Sequence, residues 1–115
     1  MFSRYKIFMQ QYISLNFIEW NIVKSKLKIE YYKKGDTIHN VGDISTKLMF
    51  INSGLARGFI IDENGKDNTW SIYFNDENSH MTNLFAVDYE SFINQTTSKL
   101  EIAALEDCEV VVIPF

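Results

Sequence analysis

Few side chains in this sequence combine the residue types and the spacing that chemistry requires. The two histidines, His39 and His80, stand far apart and lack the His-x-His spacing of a metal site in a small β-barrel. Ser53 precedes Gly54 in a turn, without the G-x-S-x-G setting of a nucleophilic serine. Cys108 begins an apolar strand, which favours a small buried hydrophobe over a reactive thiolate. These patterns predict no catalytic residues and no metal site.

The remaining polar groups have equally plain interpretations. Both histidines are predicted to lie in turns or on the surface. The acidic pairs fall at predicted turns, where acidic residues are ordinary: Asp62-Glu63, Asp76-Glu77 and Glu106-Asp107. The sequence therefore predicts a protein that is not an enzyme.

The composition predicts one soluble domain with a single aromatic-rich core. The chain has 115 residues, of which 46% are apolar and 15% aromatic, and a chain of this length can bury one such core. A single cysteine forms no internal disulfide and no segment resembles a signal peptide, so a cytoplasmic location is predicted. Charged and polar residues interrupt the N-terminal apolar segment, so no membrane span is predicted.

The charge is unevenly distributed along the chain. Residues 1–34 carry seven positive and two negative side chains, a balance of +5. Residues 35–115 carry four positive and thirteen negative side chains, a balance of -9. An acidic body repels phosphate backbones, so the chain by itself is predicted not to bind nucleic acid.

Two helices are predicted within the first thirty residues. Asn16 and Glu19 have the spacing of a capping box, so a break near residues 14–16 separates the helices. Apolar residues recur on one face of each helix: Phe8, Tyr12 and Leu15 in the first, and Trp20, Val23 and Leu27 in the second. We expect these faces to pack against the rest of the domain.

From residue 31 onwards, short β-rich segments alternate with turn residues. Strands are predicted at residues 30–33, 37–41, 47–52, 55–62, 67–74, 99–105 and 108–115. Asn64-Gly65 is the strongest turn signal, because a two-residue hairpin turn with positive φ at both positions favours this pair. The pattern breaks between Asn75 and Thr97, which predicts a loop and a short helix near residues 84–94. Regularly spaced strands with glycine turns predict a sandwich or a barrel.

Five sequence blocks follow one another along the chain, and four of them contain a glycine at a predicted turn. They are Tyr32-Lys33-Lys34-Gly35-Asp36-Thr37-Ile38, Val41-Gly42-Asp43, Phe50-Ile51-Asn52-Ser53-Gly54-Leu55-Ala56-Arg57, Glu63-Asn64-Gly65-Lys66 and Ala104-Leu105-Glu106-Asp107-Cys108-Glu109-Val110. In order and approximate spacing, these blocks resemble the cyclic-nucleotide-binding domain of Crp/Fnr-type bacterial transcription regulators. The resemblance implies a mainly β fold with N-terminal helices, a double-stranded β-helix of the cupin-like jelly-roll type. It divides the chain into a helical segment at residues 1–29 and a cyclic-nucleotide-binding-like β-roll at residues 30–115.

The resemblance also locates a ligand-binding cassette. In family members that bind cyclic AMP, this cassette supplies Gly-Glu near its start and Arg followed by a small residue near its end. The resemblance places Met81 and Thr82 at the first pair, and Ser98 and Lys99 at the second. Both charged anchors are absent. Loss of the Arg removes a charge-assisted contact worth roughly 1.5–3 kcal/mol, about one to two powers of ten in affinity. The sequence thus predicts a degenerate cassette without tight binding of cyclic AMP.

Two interpretations of the altered cassette are open. The cassette is either a rebuilt pocket for another small molecule, bound by Thr82, Asn83, Ser98 and Lys99, or a space filled by side chains such as Met81 and Phe85. No cofactor is predicted, and a bound cyclic nucleotide is the less favoured outcome. The single cysteine excludes the iron–sulfur cluster with which another branch of the family senses.

The function implied by the resemblance is that of the sensory or effector domain of a Crp/Fnr-like transcription regulator. Such proteins continue after the last strand with a dimerisation helix and a winged helix-turn-helix, which this sequence lacks. Residues 110–115 form an apolar strand without a polar tail, which predicts a chain cut at a domain boundary or a longer parent. DNA binding and homodimer formation are expected of that parent, and no membrane contact is expected. The alternative is a stand-alone module that binds another small molecule or a protein partner.

Overall fold

The chain is built from short helices followed by antiparallel strands. The computed structural model describes residues 2–75 and 84–114. Within these residues the elements are α1 (Ser3–Gln10), α2 (Phe17–Lys24), β1 (Lys28–Tyr32), β2 (Thr37–His39), β3 (Lys47–Ser53), β4 (Leu55–Ile61), β5 (Asp67–Phe74), α3 (Tyr89–Asn94), β6 (Glu101–Ala104) and β7 (Cys108–Pro114). This order confirms the predicted class, mainly β with N-terminal helices. None of the described helices is long and apolar enough to cross a membrane.

The strands form two antiparallel sheets whose inner faces share a core. The smaller sheet has the order β1-β7-β3, and the larger sheet has the order β2-β6-β4-β5. Residues 84–86 extend the smaller sheet beside β3, because the Ile51 N–H donates to Leu84 O at 2.7 Å and the Ala86 N–H donates to Met49 O at 2.9 Å. The connections cross between the sheets as in a jelly roll.

Strands β3 and β7 each contain four consecutive apolar residues, 48–51 and 110–113, because both faces of their sheet are covered there. Met49, Ile51 and Val110 face the core between the two sheets. Phe50 and Val111, one residue further along each strand, face the opposite side. The buried N-terminal residues that cover this second side are Tyr5, Trp20 and Leu27. The predicted packing of the helical segment against the domain is therefore confirmed.

The break between the two N-terminal helices lies where the capping box predicts it. Asn16 Oδ1 accepts a hydrogen bond from Glu19 N at 2.8 Å, and Glu19 Oε1 accepts one from Asn16 N at 3.1 Å. Tyr12, which was expected on the packed face of the first helix, is 74% exposed. That expectation is wrong because α1 ends at Gln10, so the helical periodicity does not extend to Tyr12.

The hairpin at Asn64-Gly65 also differs from the prediction. Gly65 has a positive φ of 78°, but Asn64 does not have a positive φ. The loop between β4 and β5 spans residues 62–66. The Asp62 carboxylate accepts hydrogen bonds from the backbone N–H groups of Asn64 and Lys66, both at 2.9 Å. The predicted two-residue turn is wrong because Asp62 stabilises a longer loop that needs only one left-handed residue.

Gly54 joins β3 to β4 at a position where a side chain does not fit. Its φ is 98°, in the region that L-residues rarely adopt. A Cβ at this position would collide with the carbonyl oxygen of Asp107 and would lie 2.8 Å from Cys108 Sγ. The turn between the two sheets therefore depends on both the conformational freedom and the small size of this glycine.

We expect Gly54→Ala to lower the free energy of unfolding by about 3 kcal/mol. About 1–2 kcal/mol of this loss arises from the positive φ and the rest from the collision with Asp107. Gly42→Ala is the matched control, because φ is 92° and no atom lies within 4 Å of an added Cβ. It should cost only about 1–2 kcal/mol. Urea denaturation measures both losses, and equal losses would contradict the steric argument.

Candidate ligand-binding site

A cavity of about 370 Å³ lies between the β4–β5 hairpin and the connection that carries α3. Its aromatic lining consists of Trp70, Tyr73 and Tyr89, and its charged lining consists of Asp88, Glu90 and Lys99. Helix α3 is shorter than the helix predicted near residues 84–94, because residues 84–86 pair with β3 instead. The cavity thus occupies the part of the fold where the cassette is expected.

Ser98 is buried beside this cavity in a network of hydrogen bonds. It is 3% exposed, and its Oγ donates a hydrogen bond to Asp88 Oδ2 at 2.5 Å. The same oxygen accepts a hydrogen bond from Leu100 N at 3.0 Å. Lys99, the next predicted site residue, is exposed in the cavity wall. The other predicted site residues lie outside the described residues: Met81, Thr82 and Asn83.

Asp88 caps helix α3 with both its side chain and its backbone. Its Oδ1 accepts a hydrogen bond from Ser91 N at 3.2 Å, and its carbonyl oxygen accepts one from Phe92 N at 2.9 Å. Two backbone N–H groups of the first helical turn are thus already bonded within the chain. The side chain also places a negative charge at this end of the helix. The described part of the site is therefore organised around a carboxylate.

Asp88 was not among the predicted site residues. It stands ten positions before Ser98 and precedes the first residue of α3. Aspartate is a preferred N-cap residue, which is the sequence signal that could have identified it. The helix was predicted to begin near residue 84, so Asp88 was placed inside the predicted helix and not at its N-terminus.

Phe85 does not fill this cavity. Its ring packs against Phe8 and Phe50, with centroid distances of 5.5 and 5.7 Å. These contacts lie on the side of the smaller sheet that the N-terminal helices cover. The interpretation in which Phe85 occupies the cassette is therefore wrong, and an open cavity remains beside α3.

Cys108 is a buried structural residue. It is 3% exposed, and burial raises the pKa of its thiol. Its Sγ lies 3.4 Å from Leu55 O and 3.3 Å from Glu106 O. The prediction of a small buried hydrophobe is confirmed. Within residues 2–75 and 84–114, no three His, Cys, Asp or Glu side chains cluster as potential metal ligands.

His39 borders a second cavity of about 360 Å³, which shares Val87 with the first. It lies in β2, and its Nε2 atom is buried without a hydrogen-bond partner among the described residues. Burial lowers the pKa of His39, and the nearby carboxylates of Asp43 and Asp88 oppose this shift. The prediction of a turn or surface histidine is wrong, because His39 lies in strand β2 and is half-buried.

We expect His39 to make the domain less stable at mildly acidic pH. Its pKa in the folded state lies below the ordinary value of 6.5, so the unfolded chain takes up the proton more readily. Stability should therefore fall as the pH decreases from about 7.5 to about 5.5. Urea denaturation at the two pH values should show a smaller decrease for His39→Gln. An unchanged pH dependence in this variant would rule out a neutral buried imidazole as the cause.

The two sheets form a jelly roll in which a short helix and a cavity lie between β5 and β6. The family model described as "Cyclic nucleotide-binding domain" matches residues 29–115. The chain therefore belongs to the cyclic nucleotide-binding domain family.

Solved structures share the fold at low sequence identity. The Thermus thermophilus Catabolite Activator Protein is 23% identical with a TM-score of 0.66, over 88% of this chain and 44% of that chain. The N-terminal domain of a transcriptional regulator from Streptomyces coelicolor A3(2) is 15% identical with a TM-score of 0.67, over 88% and 66%.

A third similar structure is the regulatory subunit of a cAMP-independent protein kinase A from Trypanosoma cruzi, bound to guanosine. It is 15% identical with a TM-score of 0.68, over 88% of this chain and 33% of that chain. The chain thus spans less than two thirds of each of these three proteins. No curated protein sequence matches it.

Proposed function

We propose that this chain is the sensory domain of a Crp/Fnr-like transcription regulator whose cassette has lost tight binding of cyclic nucleotides. The observation that carries this proposal is the hydrogen bond from Ser98 Oγ to Asp88 Oδ2. A buried hydroxyl paired with a carboxylate stands where the resemblance places the phosphate-binding arginine. This arrangement offers a cyclic phosphate no positive partner at that position.

The charges around the cavity support the proposed loss of affinity. Asp88 and Glu90 contribute two carboxylates to the lining, whereas Lys99 contributes one ammonium group that is exposed to solvent. Two like charges about 4 Å apart repel by about 1 kcal/mol in water and about 4 kcal/mol at a partly buried site. A phosphate held against Asp88 would therefore bind poorly, even with Lys99 at the rim.

The role in transcription rests on the five sequence blocks that resemble the family and on the similar structures. The Catabolite Activator Protein and the Streptomyces regulator domain share the fold, and the family is regulatory. We infer a longer cytoplasmic parent that forms a homodimer and binds DNA through a separate domain. The balance of -9 in residues 35–115 argues against DNA binding by this chain itself.

A stand-alone regulatory module is the second candidate. The Trypanosoma kinase subunit has the same fold without being a transcription regulator, which favours this alternative. The reading frame downstream of residue 115 distinguishes the two candidates. An apolar helix followed by a helix-turn-helix pattern supports the regulator, and a stop codon supports the module.

We expect calorimetry to detect no binding of cyclic AMP or cyclic GMP to the unaltered chain at up to about 100 µM. The double variant Ser98→Arg/Lys99→Ala should bind cyclic AMP at least about tenfold more tightly, because the new guanidinium supplies a charge-assisted hydrogen bond. Ile93→Arg/Lys99→Ala is the matched control. It exchanges the same charges, but the new guanidinium lies on α3 at a residue that is 73% exposed and does not line the cavity.

The Asp88→Asn variant tests the repulsion without introducing a large side chain. The amide oxygen can still cap α3, and the amide NH2 can donate to Ser98 Oγ, whose hydroxyl can donate instead to Leu100 O at 3.1 Å. The variant should therefore fold and should bind cyclic AMP several-fold more tightly than the unaltered chain. Submicromolar binding of cyclic AMP by the unaltered chain would refute the proposal. So would an unchanged cyclic AMP affinity in both a folded Asp88→Asn protein and a folded double variant.

A further inference from the structure

We propose that the cavity beside α3 binds an uncharged ligand with a planar ring and neighbouring hydroxyl groups, which is the chemistry of a nucleoside without phosphate. This inference rests on the proposed function, because it assigns a ligand class to the same cavity. Three properties of the lining carry it: open aromatic rings at the mouth, a carboxylate with unused acceptor positions, and a volume suited to one small molecule.

The aromatic rings are placed to hold a planar group. Trp70 lies on the edge strand β5 and is 73% exposed, and Tyr89 begins α3 and is 51% exposed. Both line the cavity. Exposed aromatic faces at a cavity mouth stack readily on a planar ring, and they tolerate different bases because every base has a π-face.

The inner wall of the cavity is closed by a third aromatic residue. Tyr73 is 3% exposed, and Gly58 in β4 leaves room for it, since a Cβ on Gly58 would lie 2.9 Å from the Tyr73 hydroxyl oxygen. Burial raises the pKa of Tyr73, and the neighbouring Tyr89 and Asp88 raise it further. The phenol is therefore a neutral group at the base of the cavity, close to the carboxylate.

Asp88 selects for hydroxyl donors over anions. Among the described residues, Oδ1 accepts one hydrogen bond, from Ser91 N, and Oδ2 accepts one, from Ser98 Oγ. A carboxylate offers about four acceptor positions, so each oxygen can accept one more hydrogen bond. Neighbouring ligand hydroxyls can donate to them, whereas an ionised phosphate has no proton to donate. With Glu90 also in the lining, the site favours a neutral molecule over an anionic one.

The size of the cavity limits the ligand to one small molecule. About 370 Å³ lies at the lower end of the range of about 300–1,000 Å³ that is typical of small-molecule sites. One ring joined to one sugar-sized group suits this volume. A dinucleotide does not.

The test is isothermal titration of the unaltered chain with adenosine, guanosine, cyclic AMP and 2′,3′-dideoxyadenosine. We expect both nucleosides to bind about tenfold or more tightly than cyclic AMP, and the dideoxy compound to bind about tenfold or more weakly than adenosine. Trp70→Ala should weaken nucleoside binding about tenfold or more without lowering the melting temperature. Tyr31→Ala is the matched control, because Tyr31 is 63% exposed but lies in the other sheet.

Three results would overturn the inference. These are no nucleoside binding up to about 1 mM, equal binding of adenosine and its dideoxy analogue, or equal losses of affinity in Trp70→Ala and Tyr31→Ala. The proposed function is tested separately. If neither nucleoside binds but Ser98→Arg/Lys99→Ala gains affinity for cyclic AMP, this inference fails and the proposed function stands. If the unaltered chain binds cyclic AMP with submicromolar affinity and more tightly than either nucleoside, both fail.

Discussion

Residues 110–113 of strand β7 have to be apolar on both faces, and the position of the candidate site depends on this constraint. It lies at the centre of the smaller sheet, paired with β1 and β3. Val110 and Val112 face the core between the sheets, while Val111 faces the N-terminal helices. Each buried valine contributes roughly 1.5–3 kcal/mol relative to an exposed one. This strand therefore packs against both the larger sheet and the N-terminal helices, and its pairing with β3 fixes the position of β3.

Backbone hydrogen bonds hold the two parts of the chain that carry Asp88 and Ser98. Residues 84–86 pair with β3 and so fix the chain just before Asp88. At the other end, the Ser98 N–H donates to Asp43 O at 2.9 Å, and the Gly42 N–H donates to Ser98 O at 2.8 Å. Asp88 and Ser98 are thus held in position by separate parts of the fold. Their side-chain hydrogen bond joins the two ends of residues 88–98, and backbone hydrogen bonds already hold both ends in position.

Local sequence signals predicted most of the fold because the structures they describe are local. The capping box at Asn16 and Glu19 needs only four consecutive residues, and β5 spans the predicted residues 67–74. Two of the wrong predictions depend on contacts from elsewhere in the chain. His39 is half-buried in β2, with its Nε2 atom buried, and residues 84–86 pair with β3 instead of forming a helix.

The site was harder to predict than the fold for the same reason. The resemblance predicted the region and the absence of the arginine, but the hydrogen-bond partner of Ser98 is a residue ten positions earlier, in a separate segment. Spacing alone does not show that a helix-capping aspartate points at a buried serine hydroxyl. Three of the five predicted site residues, Met81, Thr82 and Asn83, lie outside the described residues and stay predictions.

Asp88, which is hydrogen-bonded to Ser98, both caps helix α3 and determines the proposed preference for uncharged ligands. Capping α3 requires an acceptor, and aspartate meets that requirement with a negative charge. The same charge disfavours every anionic ligand at the cavity, while the hydroxyl of Ser98 leaves part of the carboxylate free to accept further hydrogen bonds. Specificity is a difference between affinities, so excluding anions contributes to it as much as attracting the favoured ligand does. Under the proposed function, a single side chain thus disfavours phosphate and also stabilises the helix that forms the cavity wall.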